Sequence, residues 1–144
     1  MKVVVDTNVI LDFFLSREPY VSEVKKLFEQ IYLGKIDAFA TANSITDVYY
    51  VTAKKLGDVA AREAIKHLLK MLGIISVDGS DCANALSLPL KDYEDALVVT
   101  CASKEQMDFI ISNDNDFLQV PPVGEGIKVV NLCDFLSSEV KRGE

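Results

Sequence analysis

The chain has 144 residues, of which 49% are hydrophobic and 26% charged, so it can fold as one domain, expected over residues 1–144, and is too apolar to be disordered. Asp and Glu outnumber Lys and Arg by 22 to 15, and the net charge of −7 excludes binding of nucleic acid by bulk attraction. Its apolar runs fall short of the roughly 20 residues of a membrane span. The N-terminus does not resemble a signal peptide, because three valines lead directly to Asp6. We therefore expect a cytoplasmic protein that does not enter a membrane.

Short apolar runs alternate with helix signals along the chain. Strands are predicted over residues 2–5, 37–41, 74–77, 109–112 and 128–130. Helices are predicted over residues 9–15, 19–33, 43–56, 58–72, 81–88, 92–104 and 132–140. This alternation predicts an α/β fold, namely a three-layer α/β/α sandwich with a central, mostly parallel sheet of about five strands. The single linker-like segment is the Pro- and Gly-containing loop 120–126.

Cysteine and histidine chemistry is not supported by the sequence. Cys82, Cys101 and Cys133 are odd in number and show no C-x-x-C spacing, so we expect reduced, mostly packed thiols. His67 is the single histidine and is expected to be exposed on its helix. A Ser-His-Asp or Cys-His mechanism would lack a base, and a His-rich zinc site would lack ligands.

Aspartates follow the predicted strands or begin the predicted helices. The groups are Asp6 with Asp12, Asp47, Asp92 with Asp95, and Asp114 with Asp116. Asp6 follows the first strand and Asp114 the fourth, and the carboxyl ends of parallel strands share one edge of a sheet. We therefore expect these side chains to converge. Carboxylates that gather without basic partners usually hold a divalent metal ion.

Asp95 has the strongest case for a ligand, because it begins an apolar helical stripe that continues with Val98 and Val99. Burying an unpaired carboxylate there would cost on the order of several kcal/mol, so Asp95 needs a positively charged partner. The alternative is a carboxylate that stabilises the helix dipole. The same stripe places Glu94 on the opposite side of the helix.

The other aspartates leave their alternatives open. Asp47 and Asp92 are each equally consistent with a metal ligand and with a carboxylate that stabilises the helix dipole. Asp114 and Asp116 are also consistent with simple turn formers in an Asn- and Asp-rich loop. Asp12, one turn into the first helix, is expected at the surface or behind the ligands.

Four motifs together resemble the PIN-domain ribonucleases, and the length resembles the small VapC-type toxins of that family. The motifs are Val-Val-Asp6-Thr7-Asn8, a Ser-x-x-Asp that ends at Asp47, Asp92-x-Glu94-Asp95-Ala96, and Ser112-Asn-Asp114-x-Asp116-Phe117. They follow the family's order and spacing and cover the chain from end to end.

The resemblance implies a Mg²⁺-dependent endoribonuclease, with Mn²⁺ as a substitute, that cleaves single-stranded or loop RNA as the toxin of a VapBC-type toxin–antitoxin pair. A small antitoxin encoded nearby and a second copy of the chain, as a homodimer, are the implied protein partners. The implied metal ligands are Asp6, Asp95 and Asp114. The implied catalytic residues are Asp6, Asp47, Asp95, Asp114 and Asp116, with Thr7, Asn8, Asp92 and Ser112 as substrate-binding or supporting residues. One departure is Asp47, where the family more commonly has glutamate, and the shorter side chain predicts a metal contact through water.

Two other functions are kept open. A Mg²⁺-dependent phosphatase like the haloacid dehalogenases would use Asp6 as its nucleophile, although those enzymes have a second aspartate where this chain has Asn8. A catalytically silent PIN-like module would bind a partner and no metal. Lys54 and Lys55 are candidates for steering phosphates, and a solvated helix end is their simpler explanation.

Overall fold

A computed structural model describes residues 1–119 and 127–140 of the chain. Its five strands are β1 (Lys2–Val5), β2 (Asp37–Thr41), β3 (Gly73–Ile75), β4 (Phe109–Ile111) and β5 (Lys128–Val130). Its helices are α1 (Thr7–Phe14), α2 (Val21–Tyr32), α3 (Ala42–Leu56), α4 (Asp58–Met71), α5 (Gly79–Ala85), α6 (Tyr93–Lys104), α7 (Asn115–Leu118) and α8 (Leu132–Phe135). A π-helical turn, Leu136–Val140, follows α8. The predicted linker 120–126 lies outside the described residues.

The strands form one sheet in the order β3-β2-β1-β4-β5, and every pairing is parallel. The predicted α/β fold with a parallel sheet of about five strands is therefore confirmed. The chain turns from one half of the sheet to the other between β1 and β4, where Val5 pairs with Ile111. Crevices for ligands form at such a switch point, at the carboxyl ends of the strands.

The central strand β1 is buried on both of its faces. Val3 and Val5 pack into one apolar cluster with α1 and α2, whereas Val4 packs into a second cluster with α6. Alternate residues of a strand point to opposite faces, so helices cover both sides of the sheet. This arrangement makes the continuous valine run an interior strand and fixes the position of the residue that follows it.

Several predicted boundaries differ from the observed ones. Helix α1 begins at Thr7 rather than Val9, and α2 begins at Val21, two residues after Pro19. Strand β3 covers Gly73–Ile75 instead of residues 74–77, and the short helix α7 was not predicted. The last predicted helix is α-helical only to Phe135. Within residues 1–119 and 127–140, no helix is long and apolar enough to cross a membrane.

Candidate active site

A cavity of about 410 Å³ opens at the carboxyl ends of β1 and β4, and we call it the acidic pocket. Its carboxylate lining consists of Asp6, Asp47, Asp92, Glu94, Asp95 and Asp114. The rest of its wall consists of Thr7, Asn8, Leu11, Tyr50, Val51 and Val98. In the part of the chain that the structure describes, no Lys or Arg lines this pocket. The predicted convergence is therefore found for Asp6, Asp47, Asp92, Asp95 and Asp114, but not for Asp12 or Asp116.

Asp6 lies at the floor of the acidic pocket, where β1 ends. Its Oδ1 accepts a hydrogen bond from the Thr7 backbone N–H at 2.9 Å, and its Oδ2 accepts one from Ser112 Oγ at 2.8 Å. Burial raises the pKa of Asp6, while the bond from Ser112 and then the bond from Thr7 lower it. Asp6 is also the N-cap of α1, because this helix begins at Thr7 rather than at the predicted Val9.

A chain of hydroxyl groups joins this position to the helix that carries Asp47. Thr7 Oγ1 donates a hydrogen bond to Ser44 Oγ at 2.8 Å, and Ser44 Oγ lies 3.2 Å from Thr41 Oγ1. Ser44 and Thr41 are buried. These bonds hold the start of α3 against the start of α1. Ser44 was not predicted as a site residue, although the Ser-x-x-Asp motif contains it.

Asp92 and Asp95 enter the pocket from the first turn of α6. Asp92 is the N-cap of this helix, and its Oδ1 accepts a hydrogen bond from the Asp95 backbone N–H at 3.0 Å. Burial, and after it the charges of Asp92, Asp6, Asp114 and Asp116 in that order, together raise the pKa of Asp95 to about 7. The site therefore opposes the ionisation of Asp95 until a positive charge arrives.

Glu94 also lines the acidic pocket, and its predicted position on the opposite side of the helix was wrong. The hydrogen bond that protonated Glu94 makes to Asp47 raises the pKa of Glu94 to about 7, with contributions from burial and from the charge of Asp47. The pocket lies over the first turn of α6, so adjacent side chains on either side of the helix can reach it. The motif Asp92-x-Glu94-Asp95 was the available signal.

Asp114 lies at the pocket wall after β4 and is the N-cap of α7. Its Oδ1 accepts a hydrogen bond from the Asp116 backbone N–H at 2.9 Å, and its own N–H donates to Ser112 Oγ at 3.1 Å. Asp116 is exposed and does not line the pocket. Buried Ser112 is thus the link between Asp6 and Asp114.

Asp12 does not line the pocket, and of the two positions expected for it, at the surface or behind the ligands, the surface is excluded. It is buried, and its Oδ1 accepts a hydrogen bond from Arg17 Nε at 2.8 Å. Arg17 also donates from Nη2 to the backbone carbonyl of Asn8 at 3.2 Å. Lys54 and Lys55 are exposed at the end of α3 and do not line the pocket.

The three cysteines and His67 do not line the acidic pocket. All three cysteines are free, as predicted, but Cys82 and Cys133 are exposed, so the expectation of mostly packed thiols was wrong. Cys101 is buried, and burial raises its pKa to about 11. His67 is exposed, as expected.

The chemistry of the pocket fits a hard divalent cation, because its charged groups are carboxylates and it is short of positive charge. Its geometry is not that of a finished metal site. Within residues 1–119 and 127–140, no three His, Cys, Asp or Glu side chains are placed so that they could hold an ion as they stand. Binding would therefore require side-chain rotations within the first turns of the helices.

A family model described as PIN domain matches residues 2–116, a range that includes every carboxylate of the acidic pocket. Ribonuclease VapC1 of Aquifex aeolicus (strain VF5) is 33% identical over 121 residues, which cover 81% of this chain and 83% of that protein. Both the match and the relative span most of the chain.

Two solved structures resemble the fold. VapC20 of Mycobacterium tuberculosis, described as a sarcin-ricin loop cleaving toxin, has a TM-score of 0.65 and 15% identity, over 80% of this chain and 92% of that one. A VapBC complex of Salmonella typhimurium bound to DNA contains a chain with a TM-score of 0.64 and 15% identity, over 92% of this chain and 99% of that one. At these identities the likeness concerns the fold alone.

Proposed function

Because this chain belongs to the PIN domain family, we propose that it is a metal-dependent endoribonuclease that cleaves single-stranded or loop RNA as the toxin of a VapBC-type pair. The observation that carries the proposal is the acidic pocket, which collects six carboxylates at the switch point of a parallel sheet. The relative from Aquifex aeolicus, which is named a ribonuclease, supports the choice of RNA.

Asp6, Asp95 and Asp114 would hold Mg²⁺, for which Mn²⁺ can substitute, and Asp47 would reach the ion through water. An ion held by these residues would lower the pKa of a water that can act as nucleophile and would neutralise charge that develops on the phosphate. A divalent ion also explains how a chain of net charge −7 can accept an RNA phosphate at its most acidic surface.

The chain's own residues fix the orientation of these carboxylates. Ser112 donates to Asp6 and accepts from the Asp114 N–H, so one buried hydroxyl sets the relative position of the two acids. Asp92 fixes the start of α6 and thereby the direction of Asp95. Glu94, with its raised pKa, holds a proton close to Asp47 near neutral pH, which makes it a proton donor available beside the reacting phosphate.

The partners are part of the proposal. Solved structures similar in fold include VapBC assemblies and a toxin–antitoxin complex from Klebsiella pneumoniae, and we propose a small antitoxin for this chain by analogy. We also propose a cytoplasmic location and self-association as a homodimer. Inspection of the adjacent reading frames would test for the antitoxin, and frames without a small neighbouring protein would contradict this part of the proposal.

The first prediction concerns the reaction itself. Purified protein should cut a single-stranded RNA with Mn²⁺ and leave it intact with excess EDTA, because the carboxylates alone supply no positive charge to a phosphodiester. Electrophoresis of a labelled oligonucleotide measures this. Cleavage that persists in EDTA would contradict the metal-dependent mechanism.

The same preparation tests the phosphatase alternative. Asn8 lies at the pocket wall two residues after Asp6, where a haloacid-dehalogenase-like enzyme has its second aspartate. Release of phosphate from a small monoester, without cleavage of RNA, would favour that alternative. A chain that neither cuts RNA nor binds Mn²⁺ would favour the silent binding module.

A further inference from the structure

A second cavity, of about 500 Å³, runs between α3 and α4 beside the acidic pocket, and we call it the α3–α4 groove. Its apolar wall includes Ile45, Tyr49, Ile65 and Leu69, and Arg62 and Lys66 lie along it. Tyr50 lines both this groove and the acidic pocket. The two cavities therefore meet at one exposed aromatic ring.

The Tyr50 ring is placed to receive a flat ligand. The residue is 69% exposed, although its ring lies at the boundary of two cavities. It packs edge-to-face against Tyr49, with ring centroids 5.4 Å apart and an interplanar angle of 71°. Tyr49 is held in turn by a hydrogen bond to Asp58 and by the Arg62 guanidinium, 5.9 Å from its ring centroid. A base can stack on an aromatic ring that is supported in this way and is largely exposed.

The charge of this region is opposite to that of the rest of the chain. Residues 42–71, which form α3 and α4, contain five Lys and Arg against three Asp and Glu, and the remaining residues carry a net charge of −9. One of the three acids is Asp47, which lies in the acidic pocket. Arg62 is paired with Asp58, at 2.9 Å, whereas exposed Lys66 forms no salt bridge among the described residues. Lys66 can therefore contact an anion.

We propose that the α3–α4 groove binds the single-stranded RNA segment next to the cleaved phosphate, with one base stacked on Tyr50 and a backbone phosphate near Lys66. This inference rests on the proposed function and assigns the path of its substrate. Sites for single strands combine aromatic platforms with positive charge along the backbone, and this groove has the Tyr50 ring and the exposed Lys66 beside the acidic pocket. An acidic protein segment is the competing occupant and is an outcome of the test below.

The test uses substitutions at Tyr50 that distinguish stacking on an aromatic ring from contact with any apolar side chain. Tyr50→Leu keeps an apolar side chain but removes the ring, and Tyr50→Phe keeps the ring. With single-stranded RNA and Mn²⁺, Tyr50→Leu should raise KM about 5- to 100-fold, the range of one lost base stack, with a much smaller change in kcat. Tyr50→Phe should retain a KM close to that of the parent. Tyr32→Leu is the matched control, because Tyr32 is 82% exposed on α2 and lines neither cavity.

Lys66 gives a second, electrostatic readout. Lys66→Ala should lower the slope of log KM against log salt concentration by about 0.7, because one phosphate contact is lost from a single strand. Lys26→Ala, at an exposed position on α2, should leave the slope unchanged. An unchanged slope in Lys66→Ala would overturn the phosphate contact.

Binding is followed independently of cleavage by rapid mixing with RNA in which each base in turn is 2-aminopurine. One position should lose fluorescence with the parent and with Tyr50→Phe but not with Tyr50→Leu. Equal KM and equal fluorescence in all variants would overturn the inference and favour a protein occupant. A parent chain that stacks this base without cutting the RNA would instead overturn the proposed activity and leave the groove assignment standing.

Discussion

Asp6, Asp92 and Asp114 are the N-caps of three different helices, and all three line the acidic pocket. The positive end of each helix dipole favours a nearby negative charge, so the helices offset part of the repulsion among the acids. The choice between a helix cap and a ligand is therefore not exclusive at these positions. One aspartate can hold the start of its helix with one oxygen and keep lone pairs for a metal ion.

The sequence indicated most of the pocket carboxylates because Asp6 and Asp114 follow strands and Asp92 and Asp95 begin a helix, whereas Asp47 lies inside α3. It missed Glu94 because a helical wheel treats α6 as having one buried stripe. The helix is buried on nearly all sides, so no single face of it points to the interior. Its buried residues are Ala96, Leu97, Val98, Val99, Cys101 and Ala102. Asp116, whose motif position suggested a catalytic residue, lies outside the lining, and its catalytic role stays a prediction.

Asp95→Asn separates a metal site from structural caps. The substitution is nearly isosteric and removes one charge from a cluster of like charges, so it should abolish RNA cleavage while raising the melting temperature of the metal-free protein by a few degrees. Added Mn²⁺ should stabilise the parent far more than the variant, because an ion that binds only the folded state stabilises it by mass action. Asp37→Asn, at an exposed position on β2, is the matched control.

The pH dependence of the same melts follows from the raised pKa of Asp95. A folded-state pKa of about 7, above the ordinary 3.8, means that the folded protein binds more protons than the unfolded chain between these values. Metal-free stability should therefore fall as pH rises from about 4 to 7, and less steeply in Asp95→Asn. A variant that melts lower than the parent in EDTA and still cuts RNA would contradict this account of Asp95.

At the scale of elements, the chain's periodicity predicted every strand and all helices except α7, and errors were confined to their ends. The end of a helix depends on which side chain caps it, and Asp6 moved the start of α1 two residues earlier than its apolar pattern suggested. Helix α7 has only four residues, too few for a period to be recognised. These local contacts form only once distant strands have brought the segments together.

Asp12 of α1 forms an ion pair with Arg17, and the two side chains differ in exposure. The side chain of Asp12 is 6% exposed and that of Arg17 is 40% exposed. Burial raises the pKa of Asp12, while the charge of Arg17 and its hydrogen bond lower it. Arg17 can therefore be solvated without its partner, whereas a buried carboxylate cannot.

Arg17→Met should consequently lower the free energy of unfolding by about 1–3 kcal/mol more than Asp12→Asn, because it leaves a buried carboxylate without its charged donor, whereas the amide keeps an acceptor for Arg17. Urea unfolding at pH 7 measures both variants, with Lys26→Met, at an exposed position on α2, as the control for loss of a cation. Equal decreases in the free energy of unfolding in the two variants would show that the difference in exposure between Asp12 and Arg17 has no effect on the cost of losing either partner.

At the scale of the whole molecule, the sequence predicted the layers but not the strand order. Both faces of the sheet must be covered because the three valines of β1 point alternately to its two faces, and that follows from the sequence of the strand. The order β3-β2-β1-β4-β5 depends on long-range packing of helices that local periodicity does not encode. The order is what places the residues after β1 and β4 side by side and so creates the acidic pocket.

Self-association is a prediction for the molecule as a whole. Two copies with a net charge of −7 each repel, so a homodimer must be held together by burial of apolar surface, for which exposed side chains such as Val59 and Leu86, 79% and 75% accessible, are available. Sedimentation at micromolar concentration should give twice the 15.9 kDa chain mass.

Raising the salt concentration should tighten the dimer, because screening weakens repulsion and leaves apolar burial intact. The same change should weaken RNA binding, which depends on attraction to phosphates. A monomer at every salt concentration would contradict the homodimer, and a dimer that dissociates as salt rises would show that ion pairs across the interface, rather than apolar burial, hold it together.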